Sequence, residues 1–392
     1  SNSVGSFLYC ANGQDKPMYF NGTTWTDSTF TGVTLENLDF VHSHLNRLWF
    51  IEKNSLNAWY GPTSAIAGAL NPLYLGPFCK RGGSIAAIAT WTRDGGAGGT
   101  DDYLVFITTN GEVIIYAGTD PSVFGSSVQI GVFKIAEPIG RRCFVRLGSD
   151  LCVITSQGLI SLVQTLPQTE GQRAASTVTD KILGAFREAH INFGTLFGWQ
   201  AFEYPKKNLL IINYPVNERS IQNQFVMNTR TGAWCEFTGI NAACWSLLGD
   251  DAFFGANNGK VYKWDTGFTD DEEPIIATMQ TSFQDYGIGN KIFTMVRGIF
   301  LSPSGYFPQI TIKTDYDTSL SDLVVIDVSS DLPRWDEVSW DVASWGPEQV
   351  PSLPWQTLRG IGIVGSIAFS VSSNSAISFN KADLVFEPGG IL

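Results

Sequence analysis

Along the first two thirds of the chain, apolar and polar positions alternate in short runs that come in pairs. Each pair is separated by a turn rich in Asn, Asp, Gly or Lys. The period of two predicts half-buried strands, and the turn residues predict hairpins. Residues 45–51 pair in this way with 56–60, and 248–255 with 258–264; looser copies are 103–107 with 111–116 and 147–154 with 158–160. A fifth unit sits at 207–213, and a degenerate first one at 7–10 with 18–22. With Leu8, Phe50, Phe106, Ile154, Ile211 and Phe254 as equivalent positions, the steps are 42, 56, 48, 57 and 43 residues. That is the pitch of propeller blades, so residues 1–267 are expected to form a β-propeller of about six blade-like repeats.

One passage breaks the rhythm. In 176–189, Val178, Ile182, Ala185, Phe186 and Ala189 share one helical stripe, which predicts an amphipathic helix inserted between blades and docked on the propeller or on a partner. An acidic run, Asp270, Asp271, Glu272 and Glu273 before Pro274, marks a linker. Beyond it the strands lengthen, as in 293–301 and 361–371, and predict a second domain at 268–392 built as a β-sandwich or jelly-roll-like body. The chain is thus expected to be all-β with one inserted helix.

Within the second domain Trp335, Trp340 and Trp345 recur every five residues, a spacing that fits neither a helix face nor a strand face. An extended loop is expected. Its three rings form an interaction surface, or else fold back to plug the sandwich. The acidic residues Asp270, Asp271, Glu272 and Glu273 are the other candidate interaction residues.

Charge narrows the partners. The chain has 392 residues and a net charge of −12, and residues 272–392 hold 14 Asp and Glu against 6 Lys and Arg, which is −8 of that total. No basic footprint is available to grip phosphates, although an acidic wall facing DNA without holding it is compatible with the balance. The doublets Lys80-Arg81, Arg141-Arg142 and Lys206-Lys207 are expected to be solvated turn charges or salt bridges to a neighbouring acidic subunit. No stretch approaches the roughly 20 apolar residues of a membrane-spanning helix. No secretory leader is visible at the start, and the first residue, Ser1, points to further sequence ahead of it.

Little in the chain suggests catalysis. There are three histidines, His42, His44 and His190. His42 and His44 share one strand face and are either the start of a metal site or polar strand residues, and no second pair of ligands is visible. Asp101-Asp102 and Asp250-Asp251 are paired carboxylates of the kind that glycosidases use, yet both are expected in hairpin turns, where Asp is favoured whatever the function. The glycine run at 95–99 has no helix after it and reads as a loop, not a phosphate cradle. The six cysteines show no metal-ligand spacing; Cys143 with Cys152, and Cys235 with Cys244, could each lie across a hairpin, but reduced buried thiols are expected. No catalytic, cofactor-binding or metal residue is assigned, and no cofactor is expected.

Four strings carry a family resemblance: HLNRLWF at 44–50, GEVIIYAGTDP at 111–121, PIGRRCF at 138–144 and MNTRTGAWC at 227–235. They resemble the tail-nozzle, or packaged-DNA stabilisation, proteins of short-tailed bacteriophages. The resemblance extends over nearly all of the chain, including the helix around Asp180, the strand at 293–297 and the terminal PGGIL. It implies a propeller followed by a sandwich, in a virion structural protein without enzymatic activity that is assembled in the host bacterial cytoplasm. It also implies a hexameric ring below the portal and adaptor that closes the tail channel and later conducts DNA without binding it specifically. Family members usually carry more sequence ahead of Phe7. A glycan-binding propeller and a propeller glycosidase or lyase are the alternatives from other functional classes.

Overall fold

The computed structural model describes residues 5–94, 100–123, 125–166, 177–270, 273–302, 308–319, 350–352, 355–373 and 375–389. The chain is mostly β and divides into two compact units, Ser1–Trp264 and Asp265–Leu392.

The first unit contains six antiparallel sheets that follow one another in the chain, and a parallel pair, Phe30–Thr31 with Gly68–Ala69, whose latter strand falls between the third and fourth strands of the second sheet. The first sheet contains Leu8–Cys10, Met18–Phe20 and Trp25–Asp27. The second contains Leu38–His44, Arg47–Glu52, Asn57–Tyr60 and Asn71–Tyr74. Ile85–Asp94, Thr100–Thr108, Glu112–Gly118 and Ser127–Lys134 make the third. Phe144–Leu147, Asp150–Thr155 and Gly158–Ser161 make the fourth. Gln200–Tyr204, Leu209–Asn217, Ile221–Asn228 and Ala233–Phe237 make the fifth. The sixth holds Ala242–Leu248, Asp251–Ala256 and Val261–Lys263. First strands of successive sheets touch one another in chain order.

Turn chemistry sets the registers. Leu45 and Asn46 both take positive φ, 45° and 60°, closing a two-residue hairpin in which His44 pairs with Arg47. That left-handed pair twists in the sense the strands require. Phe50, Phe106, Ile154, Ile211 and Phe254 each fall on the second strand of a sheet, so the repeat frame holds for five sheets. Leu8 lies instead on a first strand, paired with Phe20, so the degenerate first unit is one strand out of frame. In such short strands, two or three alternations do not define a register.

The sheets bury their faces against each other through aromatic contacts. Tyr9 meets Phe50 edge-on with centroids 5.7 Å apart, and Trp49 meets Phe106 at 5.9 Å. Phe202 stacks on Trp245 at 5.7 Å. Phe50 and Phe106 are fully buried, and burial of such a ring stabilises by roughly 2 kcal/mol. Between the fourth and fifth sheets a single 3-10 turn, Asp180–Ile182, leads into the helix Leu183–Phe193. Phe186 and Ala189 are buried, and Val178 and Ile182 pack on the same core, so the helix docks on its own unit. Ala185 is exposed, a correction to the predicted stripe.

The second unit contains two antiparallel four-stranded sheets. Lys291–Ser302 is the spine of one, paired with Val350–Ser352, Gln356–Gly362 and Ser378–Pro388. Val364–Ser372 is the spine of the other, paired with Ile276–Gln280, Gln284–Asp285 and Gln309–Thr314. Phe293, Val296 and Leu358 from the former share a core with Ile312 and Ile367 from the latter.

Candidate functional site

In the first unit, strands of the second to fifth sheets leave a cavity of about 290 Å³ between them. Phe40 and His42 come from the second sheet, Ile88 to Thr90 from the third, Phe144 to Arg146 and Leu151 from the fourth, and Gln200 and Ala201 from the fifth. The lining mixes apolar side chains with three cationic ones, Arg141, Arg142 and Arg146.

Because His42 and His44 are two apart on one strand, their rings share a face. His42 Nε2 and His44 Nδ1 each lie 2.9 Å from Thr90 Oγ1. A hydroxyl has one proton, so it can donate to one ring while the other ring donates to it. Burial, followed by the charges of His44 and Arg146, pushes His42 down to about 4. Burial also brings His44 to about 4, with Arg146 lowering it further and Asp102 opposing. Both imidazoles are therefore neutral at pH 7 and committed to an inter-sheet bond. Among the described residues no cluster of three His, Cys, Asp or Glu could hold a metal.

The arginines are placed by the segment that enters the fourth sheet. Arg142 forms a bridge with Gln200; its guanidinium donates to Gln200 Oε1 and to Ala243 O, both at 3.0 Å. The same group lies 5.1 Å from the centre of the Phe197 ring, and burial lowers its proton affinity. Arg141 Nη1 pairs with Asp39 Oδ2 at 2.5 Å. Arg146 is exposed and has no ion pair among the described residues. The doublet expected to carry solvated turn charges is thus a set of joints within the chain. Arg146 was not singled out in the sequence, because nothing local shows that it converges with residues of three other sheets.

The remaining candidates separate. Asp101 and Asp102 lie inside the strand Thr100–Thr108, paired with Arg93 and Thr92, and not in a turn; the Asp102 carboxylate accepts from Thr92 Oγ1 at 2.6 Å. Asp250 is in a turn, whereas Asp251 opens a strand and pairs with Lys206 and Lys263 at 3.1 and 2.5 Å. The Lys80 and Arg81 backbone amides donate to the buried Glu112 carboxylate at 2.9 and 3.0 Å. All six cysteines are free: Cys152 faces Val145, and Cys235 and Cys244 face Val226 and Gly255, so neither suggested pair lies across a hairpin. Only Cys143 and Cys152 are fully buried; Cys10, Cys235 and Cys244 are exposed. Trp335, Trp340, Trp345, Asp271, Glu272 and the side chain of Glu273 lie outside the described residues. Asp270 is exposed on the two-residue strand Thr269–Asp270.

A further hollow of about 270 Å³ lies between the third sheet and the short helix Leu162–Thr165, walled by Trp91, Tyr103, Ile115, Phe133, Leu162 and Leu166. No described helix is long and apolar enough to cross a membrane.

No family model matches the chain, and no curated protein matches it. Among solved structures it is similar to a putative 6-phosphogluconolactonase from Bacteroides uniformis, at 9% identity over 67% of this chain and 82% of that one, with a TM-score of 0.39. It is also similar to the six-bladed fucose-recognising lectin of Aleuria aurantia, at 12% identity, 67% and 88% coverage and a TM-score of 0.33. A third is the WD40 domain of SCAP from fission yeast, at 9% identity, 94% coverage of both chains and a TM-score of 0.33. No residue role is carried over from them.

Proposed function

We propose that the chain is a non-enzymatic structural subunit of a short-tailed phage tail, of the nozzle type, whose copies form a ring that closes and then conducts DNA. In this reading the six sheets are blades of one propeller and the two layers of the second unit are a β-sandwich. One observation carries the proposal: three of the four strings that resemble the nozzle proteins form joints between sheets. Arg47 of the first string pairs with Asp120 of the second, joining the second and third sheets. In the third string, Arg141 reaches Asp39 of the second sheet and Arg142 reaches the fifth and sixth. Such joints make the unit a rigid body, and a rigid body with wide lateral faces suits a ring subunit.

The test is the mass and averaged image of the assembled particle. A sixfold ring with an acidic inner wall supports the proposal. A monomer at all concentrations, or saturable binding to host glycans by the isolated protein, favours the glycan-binding alternative and overturns it.

A further inference from the structure

We infer that the cavity between the second to fifth sheets binds a small phosphomonoester, its phosphoryl group held by Arg141, Arg142 and Arg146. Charge is the first argument. In a chain of net charge −12, this cavity is lined by three arginines and no carboxylate. The carboxylate that reaches them is Asp39, already paired with Arg141, and Arg146 has no acidic partner among the described residues. Three guanidinium groups less one carboxylate leave two positive charges, which match a phosphomonoester carrying about −1.5 to −2 at neutral pH. A single carboxylate would leave one of them uncompensated.

Geometry is the second argument. Arginine presents a planar fork of donors suited to phosphoryl oxygens, and the bonds of Arg142 to Gln200 and Ala243 leave donors of its fork unused. Those bonds also fix its position before any ligand arrives, which lowers the ordering cost of binding. Beside the arginines, Phe40, Ile88, Phe144 and Leu151 give the same lining an apolar part for the carbon portion of an ester; Leu151 is the cross-strand partner of Arg146. A volume of about 290 Å³ lies at the small end of ligand cavities and suits one ring with its phosphoryl group.

The site does not depend on the assembly role, and its test does not involve particle mass. Titration calorimetry on the full chain, with chloride holding ionic strength constant, would compare phenyl phosphate, inorganic phosphate and benzoate. Saturable binding of one phenyl phosphate per chain is expected, with inorganic phosphate and benzoate each at least about tenfold weaker. Arg146→Gln alters an exposed residue, so its fold should persist, as near-ultraviolet dichroism would show; its affinity should fall by about tenfold or more. Absence of saturable binding up to ~10 mM phenyl phosphate overturns the inference, as does unchanged affinity in the folded Arg146→Gln variant. Benzoate binding as tightly as phenyl phosphate overturns the phosphoryl assignment, and inorganic phosphate doing so overturns the ester assignment.

Discussion

The guanidinium of Arg47 and the carboxylate of Asp120 meet across 73 positions of the chain and lock the second sheet to the third. Arg47 is nearly buried and also donates to Gly61 O at 3.1 Å. Asp120 accepts from the Ser122 hydroxyl at 2.5 Å and from the Ser122 amide at 2.9 Å. These bonds, with Arg47, hold its carboxyl below the usual range.

Replacing Arg47 with Ala should therefore destabilise the first unit by about 2 kcal/mol, because Gly61 O loses a charged donor in a nearly dry place. The pH dependence follows from Asp120. Its folded form binds protons less readily than the unfolded chain, so the contribution is present above about 3.8 and is lost as pH falls through the lower folded value. Urea unfolding of wild type and Arg47→Ala should show a gap at pH 7 that narrows below pH 3.8. A gap independent of pH would mean that Arg47 acts through packing alone.

His42 and His44 predict a loss of stability on the acid side, in a different window. In the unfolded chain each ring takes up a proton near 6.5, but in the fold only near 4. The unfolded state thus binds more protons between those values, and stability falls as pH drops from 6.5 towards 4. For His42 the loss at pH 5 should be about 2 kcal/mol. A His42→Gln, His44→Gln double variant should have a flatter melting temperature between pH 7 and 5, and carbon-bound imidazole proton shifts would report the two titrations directly.

How much of this was legible depends on how local each signal is. Phe50, Phe106, Ile154, Ile211 and Phe254 were readable as one repeat because each sits in an alternating run beside a turn, and both are local features. Phe186 and Ala189 were readable from helical spacing. Asp101 and Asp102 were misplaced because the strand continues beyond its apolar part, so polarity suggested a turn where pairing with the neighbouring strand persists. The cavity could not be read at all: Arg146, His42 and Gln200 are far apart in the chain, and only the packing of successive sheets brings them together.

The helix offers a packing test. Phe186 is fully buried, with its ring edge-on to Trp199 at 5.8 Å and tilted against Phe225 at 6.3 Å. Phe186→Ala should cost about 3–5 kcal/mol, since Phe225 is held by its strand and Trp199 by its Nε1 bond to Phe193 O, so neither can close the gap. Chemical denaturation would give the size of the effect. A cost below ~1 kcal/mol would show that the helix is an ornament on the sheets and not part of their core.

The second unit holds a buried cation whose removal can be followed locally. Lys291 is 2% exposed, and its ammonium donates to Asp285 Oδ1 at 3.1 Å, to Ile363 O at 2.7 Å and to Gly287 O. These bonds tie the loop 285–291 to the turn between Gln356–Gly362 and Val364–Ser372. Lys291→Ala deprives two carbonyls and a carboxylate of their donor and removes the methylene stem, at a cost of about 3 kcal/mol. Hydrogen exchange on the intact chain should then show protection of the strand Lys291–Ser302 falling by about a hundredfold, while strands of the first unit keep theirs. Lys291→Met keeps the stem and loses only the donor, so its effect should be smaller. If both variants exchange like wild type, the ammonium is solvated in solution and the loop is held by its backbone alone.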